Sequence, residues 1–200
     1  MSIETLVPMF VFATVLYGTP GPATLSLAAS GGAYGFRKSV PYLLGVISGV
    51  FFNFLLVALG VAYLFQNYPV VYDVFKYISL SYVLYLAYRI ATSGSIKSET
   101  CSPLRFIQGV ILNLLNPKAY VAALATVSQF TVPGEAYYRS TLVVIIVVMI
   151  TATIVDFLWV YAGGLMGKVF STEASARIVN IVLALVLALS VIYATFFLGW

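Results

Sequence analysis

Six apolar runs, roughly 5–29, 40–65, 70–92, 105–130, 140–166 and 178–199, take up most of the chain. Each exceeds the ~20 residues that an α-helix needs to cross the hydrocarbon core of a bilayer. In lipid the backbone N–H and C=O groups must be satisfied within the protein, which a helix does inside its own segment. Of the 200 residues, 62% are hydrophobic and 8% charged, where a soluble protein carries about 25% charge. A water-soluble surface cannot be built from that. The chain reads as an all-α polytopic membrane protein with six transmembrane helices.

The separators resemble turns. "SGGAYGFRKS" (30–39) and "TSGSIKSETCS" (92–102) mix small, polar and charged residues, while "QNYPV" (66–70) and "QFTVPGE" (129–135) each hold a proline. Cys101 falls in such a loop and reads as a free, solvated thiol. With one cysteine and no histidine, an internal disulfide is excluded, a His/Cys metal site is not expected, and no cofactor is implied. The first run lacks the basic flank of a signal peptide and has Glu4 there instead, so it is expected to stay as a helix. Counted by side, Arg37, Lys38, Arg89, Lys97, Arg105, Lys168 and Arg177 belong to odd-numbered loops, and Lys76 and Arg139 to even-numbered ones. The bias predicts odd loops in the cytoplasm and both termini outside, and the basic charge reads as an orientation signal, not a nucleic-acid footprint.

Two runs carry prolines near their centres. The first contains "TPGP" (19–22) and the fourth "LNPK" (115–118). A proline removes an N–H and pushes away the carbonyl four residues earlier, so each motif orphans peptide groups. Such backbone persists at membrane depth only where it is buried in protein or faces water. Both runs are the first of a group of three, and an odd number of spans inverts one relative to the other. The pattern predicts two inverted three-helix repeats, 1–92 and 105–200, joined by a cytoplasmic linker at 93–104, with helices 1 and 4 broken. Paired interruptions in corresponding places point to a transporter's binding site near the midplane. The half-helix that restarts after each break offers free N–H groups to an anion such as a carboxylate, and Gly21 permits close backbone approach.

Lys118 and Asp156 are the ionisable residues deepest within the runs. Charge at that depth is costly and reads as functional. The two are expected to face one interior cavity. In one version they pair; in another Lys118 meets a substrate carboxylate while Asp156 handles a proton or the substrate amine. Pro41, Gly45, Gly49 and Asn53 recur every four residues on one face, the glycines suited to close helix packing and Asn53 requiring partners. Thr153, Asp156 and Gly163 are expected to share a face of the fifth helix. Tyr82, Tyr85 and Tyr88 read as interface and packing residues.

These motifs carry a resemblance. "TPGPATLSLAASGGAYGFRKSVPYLLGVISG", "LSYVLYLAYRI" and "GVILNLLNPKAYVAALATVSQF" resemble the first-helix Pro-Gly-Pro motif, tyrosine-rich third helix and Asn-Pro-Lys motif of the lysine exporter (LysE/RhtB) family. The resemblance implies proton-driven export of amino acids or related small metabolites across the cytoplasmic membrane of a prokaryote. It places Pro20, Gly21, Pro22, Asn116, Pro117 and Lys118 at its motif positions; Asn53 joins them as a candidate substrate contact and Asp156 as the proton-coupling residue. Val50 and Ala122 stand where exporters of basic amino acids tend to carry acids, which favours neutral substrates. Expected partners are an amino acid, protons, the bilayer and, given the small-residue faces, a second copy of the chain. The rivals are a channel or a structural subunit of a membrane complex, which leave the paired breaks unexplained. An intramembrane enzyme lacks its second aspartate or its histidine, and a metal exporter lacks ligands.

Overall fold

The computed structural model describes residues 3–93, 102–132, 137–170 and 172–197. Cys101, Lys97 and most of the 93–104 linker lie outside the described residues. The described chain is helical throughout: α1 (Ile3–Gly18), α2 (Pro22–Tyr34), α3 (Phe36–Ala58), α4 (Val61–Asn67), α5 (Pro69–Ala91), α6 (Phe106–Leu114), α7 (Pro117–Phe130), α8 (Tyr137–Val169) and α9 (Glu173–Phe197). Four stretches are each long and apolar enough to cross a membrane: α3, α5, α8 and the Ala174–Tyr193 part of α9. The remaining spans are the pairs α1–α2 and α6–α7, bent by 64° and 66° at the proline motifs, which brings the number to six if each pair is one span. The order broken pair, long helix, further helix thus occurs twice, with the short α4 inserted in the first half.

Large apolar side chains such as Val11, Leu55, Ile146, Leu158 and Leu185 are exposed around the outside of the bundle, as lipid-facing helices require. Inside, two apolar clusters lie on either side of the breaks. One gathers Leu27, Tyr42, Leu86, Leu112, Val160 and Leu187. The other gathers Met9, Ala13, Phe54, Tyr120, Val144 and Val148.

Several local expectations are revised. The run "SGGAYG" does not form a turn: α2 continues through Tyr34, and Gly35 alone, at φ +80°, separates it from α3. Its small residues serve packing instead. A Cβ on Gly31 would lie 2.2 Å from the Val160 carbonyl oxygen, and one on Gly163 would lie 1.9 Å from that of Ala28, so α2 and α8 meet backbone to backbone. The α3–α6 crossing repeats the device, with a Cβ on Gly45 placed 1.9 Å from the Phe106 carbonyl oxygen and one on Gly109 2.4 Å from that of Tyr42. Two bulky helices cannot come this close; small residues on both sides allow it. The second apolar run stops being one helix at Ala58, where Gly60 at φ +90° turns the chain into α4. Pro41 and Thr153 are exposed, and Thr153 spends its hydroxyl on the Met149 carbonyl at 2.6 Å, so neither shares the buried face of its neighbours. Lys76 is no loop charge: it is the eighth residue of α5.

The glycine contacts yield a sharp contrast between adjacent positions. Gly31→Ala drives a methyl group into backbone and is expected to destabilise the fold by about 1–3 kcal/mol or more. Gly32→Ala meets nothing nearer than 3.5 Å, and is expected to be neutral or stabilising, since alanine is favoured over glycine in a helix by about 1 kcal/mol. Thermal unfolding of the two variants in detergent, followed by circular dichroism, checks the pair.

Candidate functional site at the two helix breaks

Each break orphans carbonyl groups, and the surrounding helices answer them individually. At the second break, Pro117 has no N–H to give the Asn113 carbonyl, which takes that of Asn116 at 3.1 Å instead, and the Leu114 and Leu115 carbonyls that follow turn to side chains. The Asn53 amide of α3 donates to the Asn113 carbonyl at 2.9 Å. The Tyr120 hydroxyl donates to Leu114 at 2.8 Å, and the Ser79 hydroxyl of α5 to Leu115. The Asn113 side chain donates in turn to the Val46 carbonyl at 2.7 Å, pinning α6 to α3. Unanswered, each carbonyl would cost several kcal/mol in an apolar surround. The sequence signal for this set was weak: only Asn53 was singled out, because a serine or tyrosine in a membrane helix has many ordinary uses.

At the first break Gly21 is fully extended, with φ −175° and ψ −179°. Its N–H donates to the Thr24 hydroxyl at 3.0 Å, one half of a capping box at the start of α2. The exposed end of α1 is capped from across the molecule. Lys118, the second residue of α7, donates to the Thr19 carbonyl at 2.7 Å and to the Thr19 hydroxyl at 2.8 Å. A cation at the negative end of a helix is favoured by the dipole and by the unsatisfied carbonyls. The two breaks are therefore joined by one side chain. Gly21 makes room for it, since a Cβ there would sit 3.0 Å from Lys118 Cδ and 3.1 Å from its Nζ.

Lysine has three N–H donors. Two are committed to Thr19, and the next acceptor, the Pro20 carbonyl, is 3.5 Å away, longer than an ordinary N–H···O bond. The third N–H is thus the most weakly held of the three. Asn116, 4% exposed, has a carboxamide oxygen without a hydrogen-bond partner among the described residues. Asn116 and Lys118 line the same space.

These groups border two cavities. The smaller, about 30 Å³, is lined by Tyr17, Gly21, Asn116, Lys118, Ala122 and Asp156, among others. That space suffices for about two water molecules. Asp156, on α8 and 4% exposed, is the one carboxylate lining it, and among the described residues it accepts no hydrogen bond. Lys118 and Asp156 share this cavity, as expected, but the polar contacts of Lys118 all go to the first break and not to the carboxylate. Val50 and Ala122 also line it. The larger cavity, about 360 Å³, lies on the other side of the same wall, between the breaks, the start of α5 and the end of α9. Gly21, Asn116 and Lys118 border both. Pro20, Pro22 and Pro117 border the larger one, and Asn53 borders neither, acting on the break from behind.

Broken helices that meet near mid-span, with half-helix ends, a lysine and a carboxylate around a shared cavity, define a membrane translocator of the discontinuous-helix kind. The chain belongs to the LysE type translocator family, which matches it over residues 14–198. A cysteine/O-acetylserine efflux protein of Salmonella choleraesuis is 29% identical over 171 residues, 84% of this chain and 86% of the relative. The homoserine/homoserine lactone efflux protein of Salmonella typhimurium is 23% identical over 141 residues, 68% of each chain. A leucine efflux protein of Salmonella choleraesuis is 30% identical over 118 residues, 56% of each. No solved structure gives a significant match.

Proposed function

We propose that this protein is a secondary transporter that exports neutral amino acids, or related small metabolites, across the cytoplasmic membrane in exchange for protons. The observation that carries the reading is the bridge from Lys118 to Thr19: a cation of one broken helix caps the other, with its third donor held only by the long Pro20 contact and Asp156 in the same cavity. A substrate carboxylate would take that donor together with the N–H groups that open α2 after Pro22. Its ammonium would face the Asn116 oxygen and Asp156. Asp156 is also the group assigned to proton coupling. Asn53 enters indirectly, by holding the second break in shape.

Neutral substrates are favoured by what the cavity lacks. Positions 50 and 122 both border it and contribute a valine and an alanine, so a cationic side chain would find no acid beyond Asp156. The relatives named for cysteine, O-acetylserine, homoserine and leucine efflux support the same class.

The packing supports alternating access. The glycine contacts of α2 with α8 and of α3 with α6 close the end of the bundle that bears Arg37, Lys38, Arg89 and Lys168. The 360 Å³ cavity lies toward the other end. With the basic end in the cytoplasm, this is an outward-facing arrangement with both termini outside, and the closed basic end argues against a continuous channel. The test is flux in proteoliposomes loaded with labelled cysteine, homoserine, leucine or lysine and given a pH gradient. Gradient-dependent movement of the neutral members is expected; movement indifferent to the gradient would mean a channel.

A further inference from the structure

The larger cavity contains a charge that the reading above does not use. Lys76 lies about 10 Å along α5 from its first residue, at 1.5 Å per residue, and lines the same larger cavity as Lys118. Among the described residues its Nζ meets the Phe196 ring, 5.8 Å from the ring centroid, and no ion-pair partner. Among the described residues no carboxylate lines the cavity: Asp73, one turn earlier on α5, is exposed and outside the lining, and Asp156 belongs to the smaller space. The remaining polar lining includes the hydroxyl residues Ser190, Tyr193 and Thr195 of α9.

Two lysines therefore line one compartment that no carboxylate of the described residues lines; Asp156 neighbours Lys118 only in the smaller space. An intramembrane cation calls for a partner, and like charges in a poorly screened space set up a positive potential that repels cations and concentrates anions. At 360 Å³ the compartment falls within the size range of ordinary small-ligand sites.

We propose that the larger cavity is a second substrate station for a carboxylate, in which Lys76 and Lys118 together admit zwitterionic or anionic amino acids and turn cationic ones away. Lys118 hands the carboxylate between the two cavities, and Lys76 acts as a specificity residue on the side away from Asp156. This rests on the reading that the breaks hold a substrate carboxylate.

The experiment compares wild type, Lys76→Gln, Lys76→Glu and Lys118→Met in proteoliposomes, with labelled leucine and homoserine as probes and unlabelled lysine as competitor. All variants are first checked for a monodisperse elution profile. In Lys76→Gln the KM is expected to rise about three- to tenfold with the effect concentrated in KM, the scale of one partly screened charge. In Lys76→Glu, lysine is expected to inhibit where it leaves wild type untouched. If both Lys76 variants keep the wild-type KM and indifference to lysine while Lys118→Met is inactive, the second station is wrong and the break site stands. If the Lys76 variants lose maximal rate at unchanged KM, Lys76 is a structural or snorkelling residue and the proposal is overturned. A Lys118→Met protein with wild-type kinetics overturns the break reading itself, and a wild type that moves neither probe overturns both.

Discussion

Asp156→Asn is expected to abolish accumulation driven by a pH gradient while leaving the protein folded and able to exchange labelled for unlabelled substrate. The side chain is 4% exposed, borders the small cavity, and among the described residues accepts no hydrogen bond. Asparagine keeps its size and removes its proton chemistry. A carboxyl group that binds and releases a proton each time the cavity changes sides ties substrate movement to the gradient; an amide cannot. The loss in gradient-driven accumulation should be roughly tenfold or more, because the coupling step disappears outright when a relay group is removed. Exchange at equal pH needs no net proton movement and should survive within a few-fold. The measurement is the ratio of the two fluxes in the same vesicle preparation. Unchanged accumulation would remove Asp156 from the mechanism.

Lys118→Met is expected to be the more damaging substitution, since it removes two functions together. The Thr19 carbonyl loses its cross-molecular donor, and the substrate loses the remaining N–H. Lys118 is half-buried, so its truncation should cost about 2 kcal/mol, the lower end of the range for a hydrogen-bonded charge, which corresponds to a loss of about 30-fold in affinity. Direct binding of labelled leucine or homoserine to the detergent-purified protein should fall below detection. Lys118→Arg separates the two functions: the guanidinium can still cap α1 and sustain folding, while its planar fork places the donors differently from an ammonium. Wild-type stability with reduced binding is expected for Lys118→Arg. Equal binding by wild type and Lys118→Met would show that the breaks do not hold the ligand.

The outline of the fold was legible because lipid leaves a membrane span few options. Runs beyond about 20 apolar residues mark spans whatever their detailed packing, and a proline at membrane depth advertises backbone that something must satisfy. The pairing of "TPGP" with "LNPK" was visible for that reason, and the structure places two bends of similar angle there. The answering groups were not visible. That Ser79, Asn53 and Tyr120 each donate to one carbonyl at the second break depends on how α3, α5 and α7 are rotated, and a single sequence does not fix helix rotation. Residues 30–34 show the opposite ambiguity. Glycine, serine and alanine compose both turns and close helix crossings, and the backbone of α8 decides between them. Lys76 was misplaced for a third reason: a charge near a segment end resembles a loop charge until the helix boundary is known, and α5 begins seven residues before it.

The claim that the two breaks hold a carboxylate is tested most directly by competition between an amino acid and its methyl ester. Leucine and leucine methyl ester share a side chain and an ammonium and differ in the charge at the carboxyl end. If Lys118 and the N-terminus of α2 hold that group, unlabelled leucine should displace labelled leucine from the wild-type protein, and the ester should fail at concentrations at least tenfold higher, the scale of a lost charge-assisted hydrogen bond. Equal displacement by ester and free acid would contradict the account.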